Sequence, residues 1–284
     1  MKTSEALAWA ENYLQEHQIE DSRLEAEILL AHSLSISRTK LLTLDAETPP
    51  LFQELIIRRA KHEPTAYITG TQPFFGLDFF VDRSVLIPRP ETELLVENII
   101  TLFSHSSLVI SHFTVADIGT GSGCIAVSLA KQLPNISVIG IDSSPAALKL
   151  AQRNAEHHGV SDRCKFILGD LFEPLKEQVD LIVSNPPYIP SAVIETLEPE
   201  VKDWEPREAL DGGKDGLDYI KKIIKIAPNH LTTNQPNNPL LIEIGFDQGK
   251  KVRQLVAETN RYQAIEVIKD LGGKDRILKA YLSR

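Results

Sequence analysis

Cysteine is scarce in this sequence: Cys124 and Cys164 are the only two among 284 residues. Lying apart with no short-range partner, they suggest neither a disulfide framework nor a zinc site and fit a reducing cytoplasm. Long apolar runs are missing too. No stretch reaches the roughly 18 apolar residues of a membrane span, and the opening MKTSEALAWA carries charges where a secretory leader would be apolar. Basic excess is also lacking, with a net charge of -9 and a pI near 5.4. A chain that tracks long DNA or RNA needs a basic face to neutralise phosphates. The eight histidines are scattered without metal-ligand spacing, so no metal is expected. What remains is an ordinary globular balance, 42% hydrophobic and 24% charged, in a chain long enough to bury a core without staples. A cytosolic monomer that makes no direct contact with nucleic acid or membrane is expected.

Residues 1 to about 62 read as helical throughout. Leu7, Ala10 and Leu14 recur at helical spacing, as do Leu24, Ile28 and Leu29, and then Leu51, Leu55, Ile56 and Ala60 after the Pro49-Pro50 start signal. A small helical domain over residues 1–65 is expected. From 66 to 90 the texture changes: Phe74 to Asp82 alternates around Gly76 and Asp78 like a short hairpin, forming a linker. A new helix begins near Glu91 and Thr92 and opens a domain over 91–284. There, strand-like runs at Thr114–Ile118, Val138–Asp142, Lys165–Leu168, Leu181–Ser184 and Leu240–Ile244 alternate with helices. Such a pattern predicts an α/β fold whose parallel sheet is covered on both faces. Two more strands in Tyr262–Leu282, separated by Gly272-Gly273, make seven and form an antiparallel edge.

Chemistry enters at Asp117-Ile118-Gly119-Thr120-Gly121-Ser122-Gly123, between the first apolar strand and a helix. Glycines there permit a tight turn and let backbone approach a ligand. Asp142 ends the next strand, where a carboxylate can accept both ribose hydroxyls. A structural turn with a surface aspartate is the plain alternative, and a nicotinamide dinucleotide is the competing ligand. Against the dinucleotide, the spacing is G-x-G-x-G and an acid, Asp117, precedes the loop. A carboxylate suits a cation and repels a pyrophosphate. A third acidic strand end, Asp170-Leu171-Phe172, offers an adenine amine an acceptor and an apolar neighbour. The cofactor expected is S-adenosylmethionine, with S-adenosylhomocysteine as product.

The second motif, Asn185-Pro186-Pro187-Tyr188, follows the strand Leu181–Ser184 and faces the glycine loop if ligands bind beyond the carboxyl ends of the strands. Consecutive prolines fix the backbone and remove N–H donors. The Asn185 oxygen and the Pro186 carbonyl then make a pair of acceptors for one NH2 group, with Tyr188 as a flat wall. Asn-Pro and Pro-Pro are also ordinary loop punctuation. Beside a glycine loop and acidic strand ends, they describe a site for a planar nitrogen, with Asn185, Pro186 and Tyr188 as catalytic candidates and Pro187 as a substrate contact. No His, Lys or Glu stands out as an obligatory base.

Together these residues resemble class I S-adenosylmethionine methyltransferases acting on exocyclic or amide nitrogen, a group that includes DNA adenine methyltransferases. Ile87-Pro88-Arg89-Pro90-Glu91-Thr92-Glu93, Phe75-Gly76-Leu77, Glu205-Pro206-Arg207-Glu208-Ala209-Leu210, Leu241-Ile242-Glu243-Ile244-Gly245 and Leu271-Gly272-Gly273-Lys274-Asp275-Arg276 resemble the peptide chain release factor glutamine methyltransferases (PrmC/HemK). The resemblance covers nearly the whole chain. It implies a Rossmann-like seven-stranded methyltransferase sheet and methylation of the side-chain amide (N5) of the glutamine in the Gly-Gly-Gln motif of class 1 release factors. It further implies that the glycine loop, Asp142, Leu171 and Asn185 contact the cofactor, that Asn185–Tyr188 holds the substrate glutamine, and that the helical domain docks the release factor. Relatives place an aromatic residue directly after the aspartate, whereas here Leu171 precedes Phe172, so either can pack on the adenine.

Other residues read less distinctively. Pro90 with Glu91 is a proline-initiated helix start, although Glu91 or Thr92 can also close over the cofactor. Arg89 reads as a salt-bridge partner, Trp204 as packing in a lid, Asp211 with Gly212-Gly213 as a turn, and Cys124 as a small packing residue. Two other functions compete: a nucleic-acid adenine N6 methyltransferase, which lacks here a target-recognition domain and a basic groove, and a non-catalytic regulator, which needs no acceptors for NH2.

Overall fold

The computed structural model describes residues 1–41, 43–104, 113–232 and 238–283. It divides into two units, Met1–Thr71 with Leu197–Trp204, and Gln72–Thr196 with Glu205–Arg284. In the first unit the apolar spacing produces α1 (Thr3–Glu16), α2 (Ser22–Ser33), α3 (Arg38–Leu41), α4 (Pro50–Arg59) and α5 (Thr65–Thr69). Pro50 occupies the first turn of α4, where its missing N–H costs nothing. Ala10, Leu14, Leu29, Leu30, Phe52 and Ile56 form the unit's own core. Leu24 and Leu51, members of the expected apolar spacing, are exposed instead; Leu24 stands five residues from Leu29 and so falls off the buried stripe. Helix also runs past residue 65, because Pro64 starts one more turn, α5, whose Tyr67 and Ile68 are buried.

The hairpin pairs β1 (Thr71–Phe74) with β2 (Leu77–Phe80) across Phe75-Gly76, both at positive φ. Two left-handed central residues give the turn a twist that matches the strands. After a 3-10 turn at Pro90–Thr92 comes α6 (Glu93–Ser104). Then follow β3 (Phe113–Ile118), α7 (Cys124–Gln132), β4 (Ile136–Asp142), α8 (Pro145–His157), β5 (Cys164–Leu168), β6 (Leu181–Ser184) and α9 (Ser191–Ile194). A short helix of the first unit, α10 (Pro199–Lys202), precedes α11 (Asp218–Ile226), β7 (Pro239–Glu243), α12 (Gly249–Glu258), β8 (Tyr262–Lys269) and β9 (Asp275–Leu282).

The sheet order is β5-β4-β3-β6-β7-β9-β8. Its first five strands are parallel, β9 runs antiparallel to β7, and β8 antiparallel to β9. Alternation along the strands feeds two cores. Val115, Val183 and Leu241 serve one face with α6 and α7, and Ala116, Ile182, Leu240 and Ile242 serve the other with α11 and α12. By the same alternation Asp117 and Glu243 fall on the first face. Strand order reverses between β4 and β6 on either side of β3, so a ligand site is expected at the carboxyl ends of these strands.

Candidate active site

At that position a cleft of about 540 Å³ opens, lined entirely by residues of the second unit. The glycine loop forms its floor. Gly119 and Thr120 N–H groups donate to the Ile141 carbonyl at 2.8 and 3.0 Å, and Gly123 N–H closes the turn on the Thr120 carbonyl at 2.8 Å. Gly119 and Gly121 take φ of 75° and 54°, and a Cβ built on either would meet no protein atom within 4 Å. Their side chains would occupy the space a ligand needs. Gly123 does a different job. It does not line the cleft, and its Cβ would lie 3.0 Å from that of Ala151, so it allows α8 to approach.

Asp117 also stands off the cleft surface. Fully buried beneath the loop, it accepts from the Thr120 hydroxyl at 2.7 Å through Oδ2, while Oδ1 makes no hydrogen bond. Burial pushes its carboxyl up to about 7; the Thr120 bond opposes that rise and the Asp142 charge adds to it. Asp142 lines the cleft and is held by the Gly121 and Ser144 N–H groups, each at 2.9 Å. Asp170 and Leu171 line it as well, Leu171 in the left-handed region at φ 49°. Phe172 turns away into the core and stacks on His230, with ring centroids 5.1 Å apart. Of the two apolar neighbours of Asp170, Leu171 faces the ligand space.

Across the cleft, Asn185, Pro186 and Pro187 form the opposing wall. Asn185 Nδ2 donates to Thr92 Oγ1 at 3.1 Å, which turns the amide oxygen to the other side. Tyr188, expected as a flat wall, does not line the cleft. It packs against the core, and its hydroxyl donates to Glu243 Oε1 at 3.1 Å. Behind the loop, Gln248 Nε2 donates to the Tyr188 carbonyl at 2.9 Å. Gly212 lies so close that a Cβ there would be 2.8 Å from the Pro187 carbonyl.

Of the remaining residues, Thr92 and Cys124 line the cleft, whereas Glu91 is exposed away from it. Burial pushes the Cys124 thiol up to about 12, which leaves it a packing residue. Arg89 pairs with buried Glu205, which also accepts from Ile87 N–H at 3.1 Å. Asp211 caps its turn by accepting from Ser191 at 2.5 Å and Gly213 N–H at 3.0 Å. Trp204 belongs to the helical unit. Two supporting residues were missed from the sequence. Asn154, fully buried on α8, bonds both backbone groups of Phe80 and the Ser122 carbonyl; its signal is an amide within an apolar helical stripe. Glu243, 1% exposed, is announced by a single acid inside Leu240–Ile244. Among the described residues no group of His, Cys, Asp and Glu could hold a metal, and no helix is long and apolar enough to cross a membrane.

Residues 5–70 match the family described as PrmC N-terminal domain, and residues 90–197 match the Methyltransferase small domain. The release factor glutamine methyltransferase of Geobacter sulfurreducens is 46% identical over 278 residues, covering 96% of this chain and 94% of its own. That of Moorella thermoacetica is 42% identical, covering 99% of both. Among solved structures, a Pyrococcus furiosus methyltransferase superposes with a TM-score of 0.53 at 17% identity, over 81% of this chain and 96% of its own. The hMettl16 catalytic domain gives 0.60 at 16% identity, over 81% and 83%; at these identities the likeness concerns the fold. With full-length relatives at this identity and a glycine-floored cleft facing Asn185, the chain belongs to the release factor glutamine methyltransferase family.

Proposed function

We propose that this protein transfers a methyl group from S-adenosylmethionine to the side-chain amide nitrogen (N5) of the glutamine in the Gly-Gly-Gln motif of class 1 peptide chain release factors. One observation carries the acceptor half: Asn185 is held through Nδ2 by Thr92, which directs its oxygen, beside the Pro186 carbonyl, to the two protons of an NH2 group. The donor half rests on charge. Asp142, Asp170 and Glu208 outnumber Arg83 along the cleft, a balance that favours a cation and opposes a pyrophosphate. The open space at Gly119 and Gly121 fits a ligand lying along the backbone, with Asp142 at its ribose and Leu171 at its base.

When bound, S-adenosylmethionine supplies a methyl group on a positively charged sulfur. The protein's part is placement. An amide nitrogen is a weak nucleophile because its lone pair is delocalised, and two acceptors holding both protons fix it in line and raise its effective reactivity. The lining residues include no His or Lys, and the spare proton leaves after transfer. Tyr188 acts from behind, holding the loop through Glu243. The helical unit supplies the release-factor docking surface, and the enzyme works as a cytosolic monomer without direct contact to nucleic acid.

Incubation with tritiated S-adenosylmethionine tests this, using purified release factor, a release factor with the motif glutamine replaced, and adenine-containing DNA. Label on the first alone is expected. Label on DNA, or equal label on the altered factor, sinks the reading.

A further inference from the structure

Two carboxylates lie buried on the same face of the sheet near its carboxyl end, and the cofactor side of the cleft accounts only for Asp117. Glu243, at the end of β7, is 1% exposed and does not itself line the cleft. Its Oε1 accepts from Tyr188 at 3.1 Å, and Oε2 makes no hydrogen bond. Against the same carboxylate lies the Thr92 hydroxyl, the group that accepts from Asn185 Nδ2.

We propose that Glu243 is a positioning residue for methyl transfer: as a buried acceptor it draws the Thr92 and Tyr188 hydroxyl protons, and Thr92 thereby fixes Asn185 with its oxygen toward the acceptor nitrogen. The inference rests on the glutamine-methyltransferase reading of the Asn185 loop. Its logic is donor counting. A threonine hydroxyl has one proton and two lone pairs. If its proton goes to Glu243, only lone pairs face Asn185, and Asn185 must present its NH2 to Thr92 and its oxygen to the cleft. If Glu243 becomes a donor, Thr92 can turn its own proton toward Asn185, and the amide is free to flip. A flipped Asn185 presents NH2 to the substrate's NH2, which repels it.

Ionised Glu243 is acceptor-only; protonated Glu243 is a donor. Burial pushes its carboxyl up to about 7. The Thr92 and Tyr188 hydroxyls and Arg276 on β9 oppose that rise, while Glu91 ahead of α6 adds to it. Cys124 at the start of α7 faces it as a neutral thiol. The switch between acceptor and donor therefore falls near neutrality.

Single-turnover methylation of release factor at saturating cofactor, from pH 6 to 8.5, tests this with Glu243→Gln, Thr92→Val and Thr92→Ser, alongside cofactor Kd by calorimetry. For the wild type, the rate is expected to fall about tenfold per pH unit below 7. Glu243→Gln should lose at least about tenfold in rate at pH 8 and show a flat profile, with cofactor Kd within about twofold. Thr92→Val should behave likewise, and Thr92→Ser should restore the rate. A Glu243→Gln enzyme with wild-type rate and profile overturns the proposal. So does Thr92→Val at full activity, which covers the case of a Glu243 variant that does not fold. Failure of the underlying reading is separate: the wild type itself would then leave release factor unlabelled.

Discussion

In the proposed reading, Asn185 and Asp117 set the two halves of the site by different means. If Asn185 holds the acceptor as proposed, Asn185→Ala should lower transfer by about 10²–10³-fold with a much smaller loss of cofactor affinity; equal losses in single-turnover rate and calorimetric Kd would contradict its assignment. Asp117 acts by charge from beneath the loop. Its carboxyl is raised from an ordinary 3.8 to about 7 in the fold, so the native state holds the proton more tightly than the unfolded chain. Ionising it therefore costs stability as pH rises from about 4 to 7. A cationic ligand above the loop favours the ionised form, and cofactor binding should draw the proton off. Affinity is thus expected to weaken by up to about tenfold per unit as pH falls below 7, and Asp117→Asn should flatten that dependence. Calorimetry at pH 6, 7 and 8 checks both, and an unchanged slope in Asp117→Asn would exclude the linkage.

At the scale of elements, the acceptor loop is held by what packs behind it. Gly212 leaves no room for a side chain against Pro187 and Tyr188. Gly212→Ala should displace the loop and lower the transfer rate by about 10²-fold with cofactor Kd within about twofold; an unchanged rate would show that the loop yields freely. Asn154 ties the hairpin to the glycine loop through three hydrogen bonds, the one to the Ser122 carbonyl buried and the two to Phe80 half-buried. Its replacement by Ala leaves their partners unpaired and should cost about 2–4 kcal/mol in urea unfolding. These supports explain what was legible beforehand. The parallel strands showed in the sequence because strands covered on both faces are continuously apolar, and the glycine loop and Asn185 loop because their chemistry is local. Tyr188's direction was not legible, since its partner Glu243 lies 55 residues away. Nor was the Thr92 contact to Asn185, which spans 93 positions. Glu243 stands out in the sequence as the single acid of an apolar strand, but its partners Tyr188 and Thr92 show only once the chain is folded.

At the scale of the whole molecule, the two units have separate cores and different dependence on charge. The helical unit buries Arg59, which is 5% exposed and pairs with Glu25 at 3.1 Å and Glu200 at 2.7 Å. Its carboxylate partners are 19% and 41% exposed, so removing Arg59 leaves charges that water partly reaches, at a cost of about 1–3 kcal/mol. Arg59→Ala should therefore weaken hydrogen-exchange protection across α1, α2 and α4, since the Thr65 hydroxyl would be left to hold the Glu25 carboxylate beside the cluster of Leu14, Leu29 and Phe52. Every residue lining the cleft lies in the other unit, so cofactor Kd should stay within about twofold of wild type. If the helical unit supplies the docking surface, the loss must appear in KM for release factor, with the single-turnover rate at saturating substrate retained. A variant that loses cofactor affinity in step with helical protection would show that the units are energetically one body, and docking would then have to be sought on the cleft's own rim.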